Sequence, residues 1–154
     1  MNVSETADRP GNSVAGELVV QMVLQALSEG HVQKAVSQFS DQFTFTDNGL
    51  GLTFTDKGRL QEFFNKTREL YPDLSIVPIS TLQSDAREIC EWTLQNTVTE
   101  GVLRNFERKV SVSIAGVSVV RLKDGLITHW TDYYDGLSAR RTALGAYFTE
   151  WIEL

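Results

Sequence analysis

Cysteine, histidine and basic charge are scarce in this chain of 154 residues, and each scarcity excludes a class of function. The one cysteine, Cys90, rules out an intrachain disulfide and any paired-cysteine metal site. Two histidines, His31 and His129, are too few for a dedicated zinc or iron centre; a mixed His/Asp site stays open but nothing supports it, and no metal is expected. A net charge of −6 argues against nucleic acid, whose phosphates would be repelled without a basic patch. The compact pair Arg140-Arg141 is too small to reverse that. No apolar run approaches the roughly 20 residues of a membrane span. The expected partner is a small molecule that is not a polyanion, or another protein.

What remains is an ordinary globular mixture, with 42% hydrophobic, 10% aromatic and 22% charged residues, enough for one domain with a sizeable core. The opening MNVSETADRPGNS lacks the basic flank and apolar stretch of a secretory signal. Residues 1–13 are therefore expected to form a disordered tail before a single domain over 14–154, with the cytoplasm as its compartment.

Helical spacing runs through VAGELVVQMVLQALSE, with Leu18, Met22 and Ala26 flanked by Val19, Val23 and Leu27, and ends at Gly30 in a left-handed C-cap. HVQKAVSQF gives a second short helix. Phe43 and Phe45 alternate with threonines as a short strand that turns at Asp47-Asn48-Gly49. Thr55 or Asp56 caps a third helix, KGRLQEFFNKTREL, stopped by Tyr71-Pro72-Asp73. Four strands follow, LSIVPIS, EICEWTLQNTVTEG, RKVSVSIAGVSVVRLKDG and LITHWTDYY, and then a helix over residues 137–154. Gly116, isolated inside the third of these strands, suggests a bulge that bends the sheet. Helices segregated to one side of a run of antiparallel strands make an α+β architecture, and a strongly bent sheet wrapped round helices encloses a hollow.

Strand parity selects the inner residues. Cys90, Trp92, Leu94, Asn96 and Val98 share one face of their strand, and Val110, Val112 and Ile114 share one face before the glycine. In the last strand Thr128, Trp130, Asp132 and Tyr134 lie together. Apolar and aromatic walls interrupted by one amide or carboxylate are the composition of a small-molecule site. An aspartate between Trp130 and Tyr134 is expected to have its ionised form destabilised by desolvation, which raises its pKa toward that of a useful base.

EGHVQKAVSQFSDQFTFTDNG, the helix KGRLQEFF and the closing DGLITHWTDYYD resemble the cone-shaped nuclear-transport-factor-two-like superfamily over roughly residues 17–136. WTDYYD is most similar to limonene epoxide hydrolase and SnoaL-type polyketide cyclases. The hydrolase's water-activating aspartate maps onto Asp132. The helix–helix–strand segment is similar to ketosteroid isomerase, whose general base maps onto Asp47. The hydrolase's Arg and second Asp fall on Trp92 and Leu94, and the isomerase's tyrosine on Val23, so the resemblance implies neither of those two reactions. It implies a cone-shaped domain and a pocket with one or two carboxylates, as in the cyclases, where a single aspartate moves protons.

The resulting expectation is a cofactor-independent enzyme of small-molecule metabolism, a cyclase, isomerase, dehydratase or hydrolase acting on a largely apolar substrate. Asp132 and Asp47 are the catalytic candidates, and Trp92, Asn96, Trp130 and Tyr134 the ligand-binding ones. A binding module or a protein-interaction adaptor on the same fold is the alternative. Asp47 also suits an Asx turn, His31 and His129 a structural or surface place, Glu91 solvent, and Cys90 the core. Sheet faces carrying Val110, Val112 and Tyr133 suit an isologous dimer, which the superfamily analogy implies.

Overall fold

The computed structural model describes residues 16–103 and 106–137. Three helices pack on a six-stranded sheet: α1 (Val19–Glu29), α2 (Val32–Val36), β1 (Phe39–Asp47), β2 (Leu52–Phe54), α3 (Lys57–Leu70), β3 (Ser75–Ser84), β4 (Arg87–Leu103), β5 (Phe106–Lys123) and β6 (Leu126–Tyr134). The spatial order is β2-β1-β6-β5-β4-β3. The α+β class and bent sheet expected from the pattern stand. The sheet is mixed, however, because β1 runs parallel to β6 while every other pair is antiparallel. The helix expected over 137–154 lies outside the described residues beyond Leu137, as does the tail 1–13. Among the described residues no helix is long and apolar enough to cross a membrane.

Local chemistry sets the helix ends. Gly30 adopts φ 78°, and the N–H groups of Gly30 and His31 return to the carbonyls of Leu27 and Ala26, closing α1 as its sequence predicts. Asp56 caps α3 by accepting the Arg59 N–H at 2.9 Å. At the start of α1 the N-cap residue is Leu18, which has no capping side chain, and the local contact is Gln21 Oε1 accepting the Leu18 N–H at 3.1 Å. Helix formation begins at Val19 rather than Val14, where Glu88 of β4 accepts the Val20 N–H at 2.7 Å. A carboxylate at a helix N-terminus is favoured by the orphan donors and the dipole there. Glu88 is only 2% exposed, so this contact ties α1 to the sheet inside the core.

Two sheet details depart from simple alternation. Gly116 lies in unbroken register, opposite Trp92 on one side and Tyr134 on the other, so the expected bulge is absent. The glycine instead makes room for an indole. A Cβ there would meet Trp92 Cη2 at 2.2 Å. The register shift occurs where Leu122 pairs with Ile127 and Arg121 with His129, leaving Thr128 as an extra residue in β6. It reverses the parity, so Ile127 rather than Thr128 joins Trp130 in the core. β2, a three-residue strand too short for periodicity to reveal, pairs with the end of β1.

The core gathers Val20, Val23 and Leu24 of α1, Phe39, Phe43 and Phe45 of β1, Leu60 and Phe64 of α3, and Trp130. Phe45 is its hub, stacked on Trp130 at 6.2 Å and edge-on to Phe64 at 5.5 Å. Replacing Glu88 by alanine strands the Val20 N–H in the core. Urea unfolding is expected to show a loss of about 1–3 kcal/mol, and Glu88→Gln, which keeps an acceptor, a smaller one.

Candidate functional site

Between α1, α3 and the inner sheet face lies a cavity of about 400 Å³. The helices supply apolar walls, with Leu24 and Leu27 from α1 and Phe63 and Phe64 from α3. The sheet supplies polar groups from three strands: Asp47 on β1, Asn96 on β4 and Asp132 on β6. All six residues singled out in the sequence, Asp47, Asp132, Trp92, Asn96, Trp130 and Tyr134, line this one cavity. Alternation places the β4 and β6 residues there because both strands keep their parity along the stretches concerned, whereas Asp47 rests on the resemblance to ketosteroid isomerase.

Asp47 and Asp132 are direct register partners across the parallel β1–β6 pair, so both side chains leave the same face one strand spacing apart, roughly 4.8 Å. Asp47 is 6% exposed. Its Oδ1 accepts the Leu50 N–H at 2.8 Å, closing the turn, and the Tyr134 hydroxyl at 2.8 Å. The turn-capping and cavity-lining readings of Asp47 both hold.

Asp132 is half-buried as a residue, but its carboxyl group is enclosed. Oδ1 accepts two hydrogen bonds, from the Trp130 indole N–H at 2.6 Å and the Ser118 hydroxyl at 2.5 Å. Ser118, with no exposed surface, accepts the Trp92 indole N–H at 2.8 Å. Desolvation dominates the balance and pushes the Asp132 pKa up to about 7. The donors from Ser118 and Trp130 work against it, and the neighbouring carboxylate of Asp47 adds to it by repulsion. The acid among aromatic rings is thus a carboxyl group poised near neutrality.

The other candidates fall elsewhere. His129 is exposed on the outer face, and His31 pairs with Glu29 at 3.1 Å at the surface. Glu91 is exposed and accepts the Ser80 hydroxyl. Cys90 is fully buried, with its thiol pushed up to about 11 by burial first and then by Glu88 and Glu91, which makes it inert. Val112, expected on a dimer face, is 2% exposed and lines the cavity instead. Among the described residues no cluster of His, Cys, Asp or Glu could hold a metal. Ser118 escaped the sequence reading, although its signal was present. With Gly116 in register, the parity of Val112 and Ile114 continues inward through Ser118 to Val120.

A family model for the SnoaL-like domain matches residues 20–130. The chain belongs to the SnoaL-like domain family. Its fold is that of the nuclear-transport-factor-two-like superfamily, as solved structures also show. A protein with a ketosteroid isomerase-like fold from Catenulispora acidiphila, in complex with trimethylamine, is 14% identical, with 81% of this chain and 91% of that one covered at a TM-score of 0.70. A candidate SnoaL-like polyketide cyclase from Shewanella putrefaciens is 12% identical, covering 83% and 84% at 0.69. IdmH from Streptomyces antibioticus, a candidate polyketide cyclase, is 11% identical, covering 80% and 94% at 0.67. No curated protein sequence matches the chain.

The raised pKa makes stability depend on pH. The folded protein holds the Asp132 proton to about pH 7, whereas the unfolded chain releases it near 3.8. This contribution is fully present below 3.8 and is lost as pH rises through about 7, with a slope of up to about 1.4 kcal/mol per pH unit. Asp132→Asn, neutral and still an acceptor, is expected to flatten that segment of the Tm–pH curve and to melt higher than wild type at pH 8.

Proposed function

We propose that this SnoaL-like domain is a cofactor-independent enzyme that moves protons on a small, largely apolar substrate, with Asp132 as the acid–base group. One observation carries the reading. A carboxyl group with a pKa near 7 opens onto a largely apolar cavity large enough for a ligand.

The step that fits is proton transfer at a carbon beside a carbonyl. Ionised Asp132 takes the proton, the C–H electron pair moves into the adjacent carbonyl, and the resulting enolate oxygen carries the charge. Returning the proton to another atom completes an isomerisation. In a cyclisation the enolate carbon instead attacks a second carbonyl carbon of the same substrate, that C=O π pair moves onto its oxygen, and the resulting alkoxide takes the proton back from Asp132. The Tyr134 hydroxyl donates to Asp47, so the donor suited to the developing oxyanion is the amide of Asn96, 7% exposed in the cavity wall. Trp92 and Trp130 offer flat apolar surfaces to the substrate. Asp47 keeps negative potential beside Asp132 and so disfavours an anionic substrate group at that point. The polyketide cyclase descriptions of similar structures support a keto-bearing substrate class.

The protein works in this reading as a cytoplasmic homodimer through the outer sheet face. Tyr133 is 53% exposed there, with half-buried Val117 and Val119 on the same face.

A thermal-shift screen of planar keto-aromatic compounds is expected to find stabilising ligands, and proton exchange or turnover of those hits then tests the chemistry. Asp132→Asn is expected to retain the shift and lose turnover by about 10²–10⁴-fold. Undiminished turnover in this variant overturns the assignment. Ligand stabilisation with no turnover by the wild type leaves a binding module.

A further inference from the structure

A chain of side-chain hydrogen bonds crosses three strands beneath the cavity, from Trp92 on β4 through Ser118 on β5 to Asp132 on β6, and the Trp130 indole closes it from the far side. Donor and acceptor chemistry fixes the direction of every bond. An indole N–H can only donate. Ser118 must therefore accept from Trp92, and its single hydroxyl proton is committed to Asp132. Asp132 Oδ1 then receives two protons, one from Ser118 and one from Trp130, and has no room for a third of its own. Among the described residues no donor reaches Oδ2.

We propose that Ser118, aligned by Trp92, is a positioning residue that commits the exchangeable proton of Asp132 to Oδ2, the oxygen left for a substrate. The proposal rests on the reading of Asp132 as the acid–base group and names a residue that makes its geometry one-sided. A carboxyl group free to rotate would present either oxygen, protonated or not. Here the two fixed donors hold the group in one orientation, so proton uptake and return occur at one atom.

The packing supports this role. Ser118 is completely enclosed, and Trp92 is 4% exposed. The indole reaches Ser118 only by crossing the backbone of β5 at Gly116, where any Cβ would collide with its ring. Four residues in two register pairs, Trp92 opposite Gly116 and, two residues on, Ser118 opposite Asp132, thus form one device. Both tryptophans could pack as core residues without these bonds, but a serine with no exposed surface requires a polar partner.

The groups facing Asp132 are few. Asp47 approaches from β1, with Tyr134 engaged on it. From α3, Lys66 pairs with Glu62 at 3.1 Å, and Arg68 donates to the carbonyls of Leu74 and Pro72 at 2.8 and 2.9 Å. Glu88 of β4 is tied to α1. Ser118 and Trp130 are therefore the donors that stabilise the ionised form from within the described structure.

Carboxyl ¹³C NMR titration of Asp132 tests the proposal directly and needs no substrate. Wild type is expected to titrate at about 7. In Ser118→Ala the ionised form loses a donor, and the midpoint is expected to rise by about one pH unit, tenfold in proton affinity. Trp92→Phe, which frees the hydroxyl to rotate, is expected to give a smaller rise. Near-UV circular dichroism checks that each variant keeps its packing. A folded Ser118→Ala that titrates with wild type overturns the proposal, and if that variant does not fold, an unmoved midpoint in Trp92→Phe does so. The acid limb of any pH–turnover profile should move with the midpoint, whereas a merely structural loss would lower turnover equally at every pH. Should the midpoints move as expected while Asp132→Asn turns over normally, the acid–base reading falls and the alignment by Ser118 stands.

Discussion

Everything at the candidate site follows from holding one carboxyl group in a place that disfavours its charge. Burial alone would keep Asp132 protonated and useless as a base, whereas full solvation would leave it too weak a base near neutrality. The structure sets an intermediate value by opposing desolvation with two donors, the Trp130 indole and the Ser118 hydroxyl. Each donor is a side chain with no freedom to leave. Trp130 is stacked on Phe45 in the core, and Ser118 is fixed from behind by Trp92.

The division of labour between layers explains how an apolar domain tolerates such a group. Helices α1 and α3 contribute aliphatic and phenyl walls, with Lys66, Thr67 and Arg68 of α3 also on the lining, while both carboxyl groups and the Asn96 amide come from strands. A sheet suits that task because register fixes neighbours to within one residue. The parallel pairing of β1 with β6 brings Asp47 beside Asp132, and the antiparallel pairing of β5 with β6 brings Ser118 to it from the other side. Their separation in sequence, 85 residues in one case and 14 in the other, has no bearing on the chemistry.

Glu88 shows the same economy away from the site. Its carboxyl group supplies the acceptor that the Leu18 side chain at the N-cap of α1 lacks, holding in place a helix that walls the cavity. A buried acid that satisfies a helix N-terminus is consistent with its lack of exposure, since the orphan N–H supplies the partner a buried polar group requires. The Cys90 thiol beside it is raised by the same burial and stays unreactive.

Short-range patterns wrote much of this into the sequence. Asp56 before KGRLQEFF, Gly30 after a periodic run and the parity of EWTLQN depend on residues within a turn or two of one another, so they could be read from the chain alone. That parity put Trp92 and Asn96 on one wall, and the parity of WTDYY did the same for Trp130, Asp132 and Tyr134. Long-range pairing decided the rest. Gly116 reads locally as a bulge, and only the indole lying across it from another strand shows why a glycine is there and why Ser118 points inward. Thr128 alternates with Trp130 on paper, but an extra residue opposite β5 turns it out and Ile127 in. The cap of α1, the parallel strand pair and the proximity of two aspartates are likewise properties of neighbours distant in sequence, because hydrogen bonds and desolvation act through space and not along the chain.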